Sequence, residues 1–175
     1  MARSDSRARL REFQEQLAQK LAAARSAPAT ASKLGFLINE RRWLIDLSDA
    51  GELVPVPDIT AVPHTHNWYR GLMSLRGNLV SVIDLAAFAG GPVTRVERES
   101  RVLSFAPQLD FNASILVTRM LGLHNTEGWT REPAAGESAT PWQGDVLRDS
   151  SGESWHELAF GALSRDEHFL HISPL

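Results

Sequence analysis

The side chains in this chain that can do chemistry are six histidines, 21 carboxylates and a scatter of serines, with no cysteine among them. Without thiols, neither a disulfide nor a thiolate metal site can hold the fold. His64-Thr65-His66 has the spacing that puts two imidazoles on one face of a strand, and Asp58 is close enough in sequence to act as a third ligand. A zinc site needs three or four donors at recognisable spacing; no fourth follows, so no metal is assigned. His156, His168 and His171 are spread over the C-terminal region and form no cluster. Serine, histidine and aspartate all occur, yet G-x-S-x-G is absent, and so is any glycine motif that cradles phosphate. The sequence therefore offers no catalytic residue and implies no cofactor.

It does offer one arginine at a tight turn. The apolar runs Tyr69–Leu75 and Leu79–Ile83 flank Arg76-Gly77-Asn78, a pattern of strand, turn and strand. Gly77 can take the positive φ that such a turn demands. Asp84 stands where an N-cap opens a short helix through Phe88, ended by Gly90-Gly91. A guanidinium fixed on a rigid hairpin suits recognition of another protein better than chemistry.

The elements that must position this turn are short. Apolar runs at Leu34–Ile38 and Trp43–Leu47 surround Asn39-Glu40-Arg41, a hairpin signal, and Leu53–Pro57 reads as an edge or irregular strand because of its prolines. Further strands are expected at Arg101–Phe105, Ser114–Val117, Leu121–Leu123, Val146–Arg148, Glu153–Glu157 and Phe169–Ile172. Short strands spaced by turn residues predict small barrels or a sandwich, not a parallel α/β sheet. Residues 125–143 read as a long loop. Val82-Ile83-Asp84-Leu85-Ala86-Ala87-Phe88 is echoed by Trp155-His156-Glu157-Leu158-Ala159-Phe160, as two similar units in one chain would produce. Ahead of the strands, Leu10, Phe13, Leu17 and Leu21 share one stripe, which predicts an amphipathic helix over residues 6–25, followed by the small-residue linker Ser26–Ser32.

Composition narrows the function. A hydrophobic content of 43% with 22% charged residues is that of a soluble globular protein. The N-terminal 30 residues are basic, so within a net charge of −3 the rest of the chain is acidic. An acidic body argues against nucleic-acid binding. The opposing reading, a small-barrel nucleic-acid-binding protein, rests on the five tryptophans as stacking platforms. They are scattered and not interleaved with Lys or Arg; Trp43 and Trp155 read as core, Trp68 as rim or core, Trp129 and Trp142 as loop anchors. The polar N-terminus is no secretory signal, and no apolar run approaches the roughly twenty residues of a membrane span, so a cytoplasmic protein without direct membrane insertion is expected.

Gly71-Leu72-Met73-Ser74-Leu75-Arg76-Gly77-Asn78-Leu79-Val80-Ser81-Val82-Ile83-Asp84-Leu85 resembles the signature of the CheW family of chemotaxis coupling proteins, G-V-x-N-L-R-G-x-x-(hydrophobic)-P-V-I-D-L. Ser74 replaces the Asn and Ser81 the Pro. Upstream, Ala50-Gly51-Glu52-Leu53 matches V-x-E-[IV], followed by a Pro-rich approach from Pro55 to Pro63. Downstream, Ile115–Leu123 matches L-L-V-D-x-V-x-G-(hydrophobic), with Thr118 for the Asp. Within the family the chain looks most like the members that serve type IV pilus (twitching motility) chemosensory systems.

The resemblance implies a mainly β fold of two packed SH3-like five-stranded β-barrels. Residues 1–33 would be the N-terminal helix and linker, and 34–175 one domain of two intertwined barrels. It implies a non-catalytic adaptor between methyl-accepting chemoreceptors and a CheA-type histidine kinase. The partner-binding residues it points to are Glu52, Gly71, Leu75, Arg76 and Gly77, with Leu47, Leu53 and Val54 lining a groove for a receptor helix. By the same pattern Arg76 would lie near Glu52, where a guanidinium can clamp the carboxylate and keep donors free.

Overall fold

Alternating apolar residues and turn chemistry place most strands where the sequence puts them. The computed structural model describes residues 32–134 and 140–174. The strands are β1 (Ser32–Ile38), β2 (Arg41–Asp46), β3 (Ala50–Pro55), β4 (Tyr69–Leu75), β5 (Asn78–Ile83), β6 (Arg101–Phe105), β7 (Ala113–Val117), β8 (Arg119–Asn125), β9 (Thr130–Glu132), β10 (Gln143–Arg148) and β11 (Ser154–Leu158). Among the described residues three one-turn α-helices accompany them, α1 (Leu85–Phe88) after β5 and α2 (Phe160–Leu163) and α3 (Glu167–Leu170) after β11. The expected helix over residues 6–25 and the start of its linker lie outside the described residues.

The strands form two mixed sheets, one of five in the order β3-β6-β7-β5-β4 and one of six in the order β8-β1-β2-β11-β10-β9. Each sheet contains a single parallel pair, β5 with β7 in one and β2 with β11 in the other. The orders superimpose if β3, β6, β7, β5 and β4 are matched to β8, β1, β2, β11 and β10. The sequence echo falls on matched positions, since β5 runs into α1 as β11 runs into α2. Only the first junction is capped by its acidic residue: Asp84 accepts from the Ala87 N–H, whereas the second helix has no side-chain cap.

Three expectations need correction. The six-stranded sheet exceeds the expected five because β9 pairs along β10, inside the stretch read as a loop. Phe169–Ile172 is not a strand: Asp166 accepts from the His168 and Phe169 N–H groups, and this cap starts α3 instead. Trp142 is no loop anchor but one of the largest fully buried side chains, stacked on Trp43 at 5.8 Å. With Trp43, Trp68 and Trp155 also buried, the stacking platforms of the nucleic-acid reading are not presented.

Packing explains the architecture. Met73, Val80, Val82, Val102 and Leu116, with Val54 and Leu75 against them, draw on all five strands of the smaller sheet. Leu44, Leu147 and Trp155 make a private cluster in the larger sheet. The main cluster takes Phe36, Trp43 and Ile45 from one sheet and Leu103, Phe105 and Ile115 from the other, and helix residues Leu85, Phe160, Leu163 and Phe169 complete it. At about 25 cal/mol per Å² of apolar surface, this shared layer is the main force joining the sheets.

The parallel seam of the larger sheet has two paired positions, His156 with Trp43 and Glu157 with Leu44. Buried Lys33 reinforces it, bridging Asp46 on β2 and Glu157 on β11. Burial opposes the charge on this ammonium, but hydrogen bonds and charge from both carboxylates outweigh it and raise its pKa. Within the seam, burial first and Arg41 second lower the pKa of His156.

In the smaller sheet Gly71 has φ +129°, and a Cβ there would lie 2.1 Å from the Thr60 carbonyl oxygen. Thr60 pairs with Leu72 through bonds of 2.8 and 2.9 Å, so the chain beyond β3 covers the edge of β4. Gly71→Ala is expected to lower unfolding free energy by at least about 2 kcal/mol in urea denaturation, as overpacking and strain combine. His156 carries a pH prediction. Its folded pKa lies below its unfolded value, so the unfolded chain binds the proton more readily. Stability should fall as pH drops through the ordinary histidine value of 6.5, and His156→Asn should flatten that part of the thermal-melting profile.

Candidate functional site

The turn between β4 and β5 is built with strain. Arg76 has φ 50° and Gly77 φ 84°, the two positive values that a tight type I′ turn requires. Asn is the residue usually tolerated first in such a turn, and an arginine there costs about 1 kcal/mol in backbone strain. Its side chain reaches Glu52 on β3, at the opposite edge of the five-stranded sheet. Arg76 Nε lies 2.9 Å from Glu52 Oε2 and donates to Oε1 at 3.1 Å, while Nη2 donates to Oε1 at 3.0 Å. The Arg76 side chain is 78% exposed and that of Glu52 34%, so the guanidinium is held on one side and open on the other.

Glu52 and Val54 point to one face of β3, the face of the small interior cluster. The ion pair thus sits where that cluster opens outward. Beside it runs a groove of about 510 Å³ lined by Gly51, Glu52, Leu75, Arg76, Ser104 and Phe111, among others.

The expected site residues do not all meet. Glu52, Leu75, Arg76 and Gly77 come together. Gly71 lies at the far end of β4, where the Thr60 backbone fills the space a side chain would take. Val54 packs against the interior cluster. Leu47, 44% exposed, follows β2, and Leu53, 42% exposed, faces away from Glu52 on β3.

Two exposed leucines were missing from that set. Leu79, 67% exposed, sits two residues past Gly77. Leu123, 64% exposed, lies on edge strand β8 opposite Leu34. Both fall in apolar runs that read as core. Leu53 likewise stands opposite buried Leu103, so Leu53 and Leu123 carry the faces of the shared core out to a sheet edge. Register alone reveals this.

The departures from the family signature have local roles. The Ser81 N–H donates to the Asn112 carbonyl at 3.1 Å, a bond that proline would forbid, and its hydroxyl meets the Tyr69 hydroxyl at 3.0 Å. Thr118 Oγ1 accepts the Asn39 N–H at 2.8 Å, fixing the β1–β2 turn. Ser74 is exposed beside the hairpin tip. His66 stacks on Trp68 at 5.6 Å, and among the described residues no group of three or more His, Cys, Asp and Glu gathers to hold a metal.

The geometry is thus a five-stranded and a six-stranded mixed sheet sharing one core, with an exposed Arg–Glu pair at the edge of one of them. The CheW-like domain family profile matches residues 33–144, and the chain belongs to that family, which is non-catalytic. Protein PilI of Pseudomonas aeruginosa is 28% identical over 109 residues, 62% of this chain and 61% of that protein. Chemotaxis protein CheW of Thermotoga maritima is 29% identical over 90 residues, 51% of this chain and 58% of that protein. The matched region thus spans less than two thirds of each relative. The crystal structure of scaffolding protein TtCheW from Thermoanaerobacter tengcongensis superposes with a TM-score of 0.62 at 20% identity, covering 73% of this chain and 88% of that one; the fold is shared.

Because the pair is largely exposed, Arg76→Ala should change unfolding free energy by less than about 1 kcal/mol in chemical denaturation.

Proposed function

We propose that this protein is a chemosensory adaptor that couples methyl-accepting chemoreceptors to a CheA-type histidine kinase, in the cytoplasm at receptor arrays, and that the system it serves drives type IV pilus twitching motility. The observation that carries the reading is the Glu52–Arg76 pair: it stands on the signature turn of a CheW-like chain, strained and exposed, with little to contribute to folding. The pilus assignment draws on similarity to PilI. No helix among the described residues is long and apolar enough to cross a membrane.

In this reading residues 34–175 form one domain of two intertwined SH3-like barrels. The private cluster inside each sheet supports the barrel form, and the place of β1 and β2 beside β11 supports the intertwining. The kinase would meet the hairpin tip, through the open side of Arg76 with Glu52, Leu75, Gly77 and Leu79. The receptor's helical hairpin would lie against the leucines at the margin of the shared core, Leu47, Leu53 and Leu123, through apolar contacts. Gly71 and Val54 would support these surfaces from within.

The test separates the two faces. Arg76→Glu should abolish co-purification with the kinase, and Leu123→Asp co-purification with the receptor, each with circular dichroism and melting close to wild type. Combining Glu52→Arg with Arg76→Glu should restore part of the kinase binding. Retention of both partners by both variants would refute the assignment.

A further inference from the structure

β3 and β6 pair out of step at one place. Ala50 is opposite Phe105 and Leu53 opposite Leu103, so Gly51 and Glu52 together face Ser104 alone. This is a β-bulge, a device that re-aims a side chain and leaves ladder groups without their usual partner. Here the side chain re-aimed is Glu52.

Ser104 fills the gap. Its hydroxyl accepts the Glu52 N–H at 2.7 Å and donates to the Glu52 carbonyl at 3.3 Å. A single side chain thereby holds the Glu52 backbone on both sides of its Cα. Ser104 is buried, so water does not readily take over these bonds. Its cross-strand neighbour Ser114 donates instead to the Ser81 carbonyl at 2.7 Å and is no substitute. The bulge also demands glycine at position 51, where a Cβ would lie 2.5 Å from the Phe105 carbonyl oxygen and 2.7 Å from Ser104 Oγ.

We propose that Ser104 is the positioning residue of the Glu52–Arg76 pair, holding the bulge so that the Glu52 carboxylate meets the guanidinium on the hairpin tip. That the pair then contacts a kinase rests on the function proposed above; that Ser104 aims it does not. The hydrogen bonds of the Ser104 hydroxyl go to Glu52 and not to Arg76. It acts through the backbone of Glu52, and Gly51 leaves the room for it to do so.

The experiment reads the pair itself and its consequence separately. In the 15N-labelled protein, the Arg76 Nε–H resonance, assigned by its loss in Arg76→Lys, reports the bond to Glu52. Ser104→Ala should move it to the position seen in Glu52→Ala, where no acceptor remains. Ser104→Thr, which keeps the hydroxyl and can place its methyl toward the adjoining groove, should leave it in place. If Ser104→Ala does not fold, Ser104→Cys removes the hydroxyl at similar volume and is read in the same way. Binding to a purified CheA-type histidine kinase should weaken about threefold to tenfold in Ser104→Ala, recover in Ser104→Thr, and not change further when Ser104→Ala is added to Arg76→Ala. An Arg76 resonance unmoved by loss of the hydroxyl, with only the melting temperature lowered, would overturn the proposal and make Ser104 a structural residue. If the resonance moves but Arg76→Ala leaves kinase binding intact, Ser104 still aims the pair, and it is the kinase reading that fails.

Discussion

The whole architecture depends on two parallel strand pairs. Antiparallel neighbours can be joined by a turn of two residues, but parallel neighbours need a crossover, and each crossover must lie on some face of the sheet. In the smaller sheet the chain leaves β5 through α1 and returns by β6 before β7 can pair with β5. In the larger sheet the partner of β11 is β2, so the closing strands come from the other end of the described chain. The helices that follow β5 and β11 put Leu85 and Phe160 into the layer between the sheets. One constraint thus produces the matched strand orders, the exchange of strands along the chain and the shared core.

The same arrangement decides where binding residues can be. Interior positions are taken by three apolar clusters, so polar recognition falls to turns and sheet edges. Arg76 is at a turn, and Glu52 is on an edge strand across the sheet from it. The two meet because the five strands surround a common cluster, which brings the far edges within reach of one long side chain. Were the sheet flat, order β3-β6-β7-β5-β4 would keep them more than a dozen ångströms apart, at about 4.8 Å between neighbouring strands.

How legible this was in the sequence follows from the range of each interaction. The β4–β5 hairpin, the Asp84 cap and the strands from Leu34 to Ile83 depend on neighbours a few residues away, and their patterns are readable. The meeting of Arg76 with Glu52 came from family pattern, since nothing local announces it. The parallel seams join residues more than a hundred positions apart in one case, and no periodicity encodes that. β9 has no sequence signal because its three residues, Thr130-Arg131-Glu132, are all exposed and show no alternation. The run Phe169–Ile172 is mostly apolar, as a short strand can be, but Asp166 supplies a helix cap three residues earlier. Leu79 and Leu123 look like core residues in a string of letters, and only the pairing shows them at the surface. Ser104 is the extreme case: a serine in an apolar strand reads as an interruption until the bulge opposite it is seen.

The residues that stabilise the fold and those proposed for recognition are therefore different. Phe36, Leu103, Ile115 and Leu163 are fully buried, and their contribution is packing. Arg76 is mostly exposed, sits in left-handed backbone and gains little from its ion pair once solvent screening is counted. Leu79 and Leu123 leave apolar surface in water, which folding alone would not favour. An asparagine at the turn and polar residues at the edges would make a more stable monomer. A strained arginine and uncovered leucines give up some of that stability, and under the function proposed above they are the surfaces, on separate parts of the fold, that two partners would complete.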